Sequence, residues 1–186
     1  MSPVRNGMLA LLALLLAGCV VWEPVEYTPE QEDTVEAALA AFRAEERLRP
    51  YFADALAFAV FPSTWRAGGG FGAAYGEGWL FEDGEVIGRA MMTELFVGAN
   101  LGAQGYRKIL FFRGEWALDQ FKRGRFEFTG QANATVVKAS RDATPAYHPE
   151  VAMFVQVKGG LLLEASVGTQ RYDFFPLPEA DSREVR

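Results

Sequence analysis

The side chains that most often carry catalysis are scarce in this chain. Its 186 residues include one cysteine, Cys19, and one histidine, His148. A structural zinc site takes four Cys or His ligands and an internal disulfide takes two cysteines, so neither can be built. A Ser-His-Asp triad would have to recruit His148, which stands in a polar stretch between Tyr147 and Pro149. Paired-carboxylate hydrolysis needs two acids facing each other, and Glu77, set among glycines, is the one acid whose setting invites it. Of the 19 glycines, 11 fall between Gly68 and Gly105. They do not spell a phosphate loop, because no Gly-x-x-x-x-Gly-Lys-Ser/Thr occurs, and after Gly70-x-Gly72 a Tyr, Tyr75, takes the place of the third dinucleotide glycine. The formal net charge of −6 excludes nucleic acid as an expected partner, since phosphate neutralisation needs clustered Lys and Arg. No cofactor or metal is expected, and the chain does not read as an enzyme.

What remains is lipid chemistry. Arg5 precedes an apolar run over residues 8–16, which is shorter than the roughly 20 residues of a membrane-spanning helix. Small residues close the run, as in an export signal. Leu16-Ala17-Gly18-Cys19 resembles the bacterial lipobox. The resemblance implies cleavage before Cys19 and acylation of both its thiol and the new amino terminus; an ordinary export signal or N-terminal anchor with an incidental cysteine is the alternative. Each buried methylene contributes roughly 0.8 kcal/mol, so several acyl chains hold a protein to a bilayer without any spanning helix. Val20, rather than Asp, follows Cys19, which resembles lipoproteins passed on to the outer membrane of Gram-negative bacteria. The expected place is the cell envelope, on the outer membrane facing the periplasm.

The chain divides into a signal peptide (1–18), a tether (19–28), a folded domain (29–175) and an acidic tail (176–186). Thr28-Pro29-Glu30-Gln31 has the pattern of a capping box with Pro at the first helical position. It predicts a helix over 29–49, with Val35, Leu39 and Phe42 on a core-facing stripe and acids opposite. A membrane-surface helix is the alternative, but those carry Lys and Arg on the polar face. A short helix over 51–56 follows, and then the period changes to two. Over 71–81, alternation sets Phe71, Tyr75, Trp79 and Phe81 on one face and Gly72, Ala74, Gly76 and Gly78 on the other. Asp83-Gly84 suits a type I′ hairpin turn with a returning strand over 86–93. Further strands are predicted over 106–113, 125–138, 151–158 and 161–172, the last two joined at Gly159-Gly160. A short helix over 115–121 should turn Trp116 and Phe121 inward. The fold class is α+β: an N-terminal helix plus a mostly antiparallel, strongly curved sheet or small barrel with short helices.

Several segments resemble the SYLF domain family in order along the chain. They are Ala59-Val60-Phe61-Pro62-Ser63, Gly72-Ala73-Ala74-Tyr75-Gly76-Glu77-Gly78, residues 96–106 ending in Gln104-Gly105-Tyr106, Ala117-Leu118-Asp119-Gln120-Phe121, and residues 158–166. Gly105 replaces a more usual Ser, and residues 143–149 form an altered loop. The resemblance implies a non-enzymatic domain that binds membrane lipid, without extending to the phosphoinositide and actin binding of eukaryotic members. Eight Lys or Arg against three acids over 107–141 form a basic island in an acidic protein. Arg107, Lys108, Lys122, Arg123 and Arg125 are its candidate contacts to phospholipid headgroups, at roughly 1 kcal/mol per charge near an anionic surface. A solvated turn balancing nearby acids is the alternative reading of these residues. The expected function is that of a lipid-anchored envelope protein contacting membrane lipid; the alternative is a structural or protein-interaction lipoprotein, its protein partner unidentified. Replacing Cys19 by Ser should release the protein from the membrane fraction and abolish acyl labelling. Unchanged fractionation and labelling would refute the anchor.

Overall fold

The computed structural model describes residues 26–131, 135–136, 150–157 and 166–178. The export signal, Cys19, His148, the 143–149 loop and the Gly159-Gly160 turn lie outside the described residues. The fold is α+β, with a strongly curled six-stranded half-barrel sheet and helices packed on it. In chain order the elements are α1 (Pro29–Arg43), a 3-10 turn (Glu46–Leu48), α2 (Arg49–Asp54), β1 (Ala57–Glu82), β2 (Glu85–Phe112), α3 (Glu115–Lys122), β3 (Phe126–Gln131), β4 (Thr135–Val136), β5 (Val151–Val157) and β6 (Ser166–Pro176). The sheet order is β3-β6-β2-β5-β4, with β1 on the other edge of β2. All pairings are antiparallel except β4 with β5.

The Thr28 side chain caps α1 by accepting from the Gln31 amide, while the Thr28 amide donates to Gln31 Oε1. Val35, Ala38, Leu39 and Phe42 are its buried stripe. The helix ends at Arg43, six residues short of the expected limit, because Pro50 opens a helix instead of closing one. It occupies the first turn of α2, where its missing N–H costs nothing.

The strands foreseen over 71–81, 86–93 and 106–113 are parts of two much longer ones. β1 runs for 26 residues and β2 for 28, joined at Asp83-Gly84. Both turn residues have positive φ (52° and 86°), as a type I′ turn requires. The glycines that looked like interruptions are where this hairpin bends. An added Cβ at Gly72 would fall 2.4 Å from the Ala67 carbonyl oxygen, one at Gly76 2.6 Å from Thr64 Oγ1, and one at Gly78 2.5 Å from the Val60 carbonyl oxygen. Residues 72–78 therefore lie directly upon residues 60–68, and the strand doubles back on itself. The bare face of the alternating segment is a packed contact, not an open groove.

Side chains inside the curl form one core, built around Phe61, Leu80, Met92, Leu110, Phe112 and Tyr172. On the opposite face α1 and α2 cover a second one, in which Tyr27 meets Trp79 edge-on at 4.6 Å and Phe58 stacks on Phe81 at 5.0 Å. In α3 the inward residues are Ala117, Leu118 and Phe121, whereas Trp116 is exposed, contrary to expectation. Trp116 and Phe121 lie five residues apart, roughly 140° around a helix, so one face cannot hold both.

The bend predicts two opposite outcomes for glycine substitution. Gly78→Ala should destabilise the protein by about 1–3 kcal/mol in urea unfolding, because its methyl meets the Val60 backbone and the Phe61 ring. Gly105→Ser places its Cβ no nearer than 3.8 Å to any neighbour and should be neutral or slightly stabilising. Equal costs at the two sites would contradict the doubled-back strand.

Candidate functional site

Folding the hairpin over itself brings a polar cluster together inside the curl. Thr64, Arg66, Glu94, Lys108 and Gln170 are buried there, beside the rings of Tyr106 and Tyr172. Arg66 on the first limb of the hairpin lies 3.8 Å from Glu94 on the second, and its guanidinium stands 3.5 Å above the centre of the Phe96 ring. Gln170 Oε1 accepts from Lys108 Nζ at 3.1 Å and from the Tyr172 hydroxyl at 2.9 Å. Burial pushes the Lys108 ammonium down to about 8, with Glu94 acting in the opposite direction. Burial likewise raises the Tyr106 and Tyr172 hydroxyls above the usual tyrosine range. These contacts tie the limbs of the bend to one another and to β6.

The outer surface of the same bend carries no charge. Within residues 65–76 and 93–106 the only charged residues are Arg66 and Glu94, and both point inward. Register places Phe71 opposite Val97 and Ala73 opposite Leu95. Phe71, Val97 and Leu95 are 77%, 68% and 66% exposed, and Trp65 is 64% exposed. Exposed apolar neighbours of this size have the composition of an interaction surface.

Beside this surface a cleft of about 500 Å³ opens between the start of α1 and β1. Glu30, Gln31, Trp65, Tyr75, Glu77 and Trp79 are among its lining residues. The Tyr75 hydroxyl donates to Glu77 Oε1 at 2.8 Å, and burial together with this bond raises Tyr75 to about 12. Glu77 thus shares a cleft with a second acid, Glu30, and both are exposed to solvent. A carboxyl tuned for general-acid work is held away from water, whereas Glu30 and Glu77 both stand in it. Among the described residues no three His, Cys, Asp or Glu side chains converge on a possible metal position.

The basic residues singled out in the sequence do not assemble into one patch. Lys108 is enclosed in the interior cluster, where no headgroup reaches it. Lys122 Nζ bonds Glu82 at 2.6 Å, and Arg123 Nε bonds Asp119 at 2.7 Å. Arg125 is exposed and Arg107 half-buried. Headgroup attraction is thereby weakened at three of the five positions. Sequence reasoning passed over Arg66, Glu94, Leu95 and Val97, although a lone Arg and a lone Glu in two otherwise uncharged stretches were a readable sign of a buried pair.

Compared with protein-family models and with curated proteins, the chain matches none.

The buried ammonium gives a pH signature. Between about pH 8 and the ordinary lysine value of 10.5, the unfolded chain keeps the Lys108 proton that the folded one has lost. Stability therefore rises with pH across that window and gains nothing from this group below it. Lys108→Met removes the effect and leaves Gln170 bonded to Tyr172. Urea unfolding of both proteins from pH 7 to 10.5 should show wild type gaining on the variant by up to roughly 3 kcal/mol. A constant difference would contradict the burial of a titrating Lys108.

Proposed function

We propose that this is a lipid-anchored protein of the bacterial envelope whose folded domain contacts membrane lipid through the outer face of the bent hairpin. The observation that carries this reading is the exposed apolar surface of Phe71, Ala73, Leu95 and Val97, on a bend of β1 and β2 whose own charges, Arg66 and Glu94, are buried and paired; the nearest outward charge on β6, Arg171 opposite Thr93, is paired with Asp173. Lipid tails exclude charge strongly and apolar groups not at all, so a surface that enters a bilayer must be composed in this way.

The lipobox-like Cys19 supplies the second support. It precedes Glu26, the first described residue, by seven positions, so an acylated Cys19 keeps the domain within about 25 Å of the bilayer surface. No helix among the described residues is long and apolar enough to cross a membrane. Acyl chains and a dipping hairpin would together serve as two attachments, the hairpin the weaker of the two. The resemblance to SYLF domains points to the same ligand class, and the domain is read as non-enzymatic.

Burying one Phe or Leu side chain contributes about 1.5–3 kcal/mol, or roughly 10- to 100-fold in partitioning. The chain from Val20 onward, which keeps every described residue, should therefore co-sediment with vesicles of phosphatidylethanolamine and phosphatidylglycerol. Leu95→Glu should weaken that binding at least about tenfold, whereas replacing Lys122, Arg123 and Arg125 together should change it far less. Absence of binding to any bacterial lipid mixture would overturn the lipid contact. One dominant protein recovered by crosslinking in cells, with no lipid binding, would support the interaction-protein alternative instead.

A further inference from the structure

We propose that the cleft between the start of α1 and β1 holds the ammonium headgroup of a zwitterionic phospholipid, ethanolamine or choline. This rests on the membrane reading above and names the lipid chemistry it selects. The cleft is lined by three aromatic side chains, Trp65, Tyr75 and Trp79, and two carboxylates, Glu30 and Glu77, and no Lys, Arg or His is among its lining residues. Aromatic faces carry negative charge density at their centres, and a positive ammonium is attracted to them as it is to a carboxylate. Both kinds of group in this cleft therefore favour the same ligand charge. A phosphate or carboxylate ligand would meet two acids in the lining, with Arg89 acting on Tyr75 only from outside it.

The recognition elements are held in place before any ligand arrives. The Tyr75 hydroxyl fixes the Glu77 carboxylate at 2.8 Å, and Trp79, buried and braced by the Tyr27 ring at 4.6 Å, forms the floor of the cleft. Trp65 and Tyr75 are 64% and 44% exposed, so their rings are open to a ligand. Position fits as well as composition. Tyr75 lies on the same outward face as Phe71 and Ala73, four residues or about 13 Å of strand from Phe71. A bilayer places its headgroups about 5–8 Å outside the hydrocarbon on each side, the depth that about 13 Å of strand covers when it lies about 50–70° from the membrane normal. With Phe71, Leu95 and Val97 among acyl chains, the cleft would stand at headgroup level. The acidic protein is then not repelled by its target, because the bound part of the lipid is its cation.

The test compares the chain from Val20 onward on phosphatidylcholine vesicles and on phosphatidylglycerol vesicles with the same acyl chains, at 0.15 M salt. Binding to phosphatidylcholine should be at least about fivefold tighter, and choline chloride should compete where equal sodium chloride does not. Glu77→Gln and Trp65→Ala should each cut the preference at least about threefold, while Glu46→Gln, which removes the same charge outside the cleft, should leave it intact. Equal binding to both vesicles, or a preference that survives both cleft substitutions, overturns the headgroup site and leaves the membrane contact standing. Binding to neither vesicle overturns the membrane contact and the headgroup site with it.

Discussion

The close approach of β1 to itself is the contact on which the rest of the structure depends. Residues 72–78 lie on residues 60–68 with no room for a methyl group at Gly72, Gly76 or Gly78. Two long strands pleated in register would otherwise extend as a flat ribbon with two wet faces, which is a poor way to bury apolar surface. The bend converts that ribbon into a curl with an inside. It also determines what stands outside, because every residue on the convex side of the bend is directed away from the core. A single device, small residues on alternate positions of one strand, thus produces the interior cluster, the apolar outer face and the cleft beneath α1.

Charge is distributed to match. The interior holds Arg66, Glu94 and Lys108, one more cation than anions, and burial works against the Lys108 ammonium. Buried ion pairs seldom add net stability, since desolvation consumes most of the Coulomb attraction. Their use here is positional. Arg66 to Glu94 joins the two limbs of the hairpin, and Lys108 to Gln170 joins the second limb to β6, so that a misfolded bend would leave charges without partners. The polar interactions specify the curl that the glycines permit, and they keep the outer face free of charge.

Local features of the fold were legible in the sequence because they depend on neighbours along the chain. The Asp83-Gly84 turn, the capping pattern of Thr28 to Gln31 and the alternation of aromatic with small residues over 71–81 all belong to this kind. The continuity of β1 and β2 was not legible, since glycine clusters at 68–72 and 98–105 look like strand ends unless the bend is known. Trp116 was misplaced because bulk suggested burial, whereas helical geometry gave that face to Ala117, Leu118 and Phe121. The site suffered most. Lys108 sat in the apolar strand predicted over 106–113, and Lys122 found Glu82, 40 residues away, which no sequence spacing reveals; Asp119, four residues before Arg123, was a readable helical pair. Leu95 and Val97 became a surface only when paired with Ala73 and Phe71.

The most direct test of the account is the depth of the bend in a bilayer. The chain from Val20 onward has no cysteine, so one introduced by Val97→Cys can carry a single environment-sensitive fluorophore, with Glu115→Cys on α3 as the reference position. On addition of phosphatidylethanolamine–phosphatidylglycerol vesicles, the label at 97 should shift to the blue and become quenchable by nitroxides in the acyl chains, while the label at 115 stays in water. Binding to vesicles with position 97 still in water, or with both positions equally unaffected, would contradict the hairpin bend as the membrane-contacting surface.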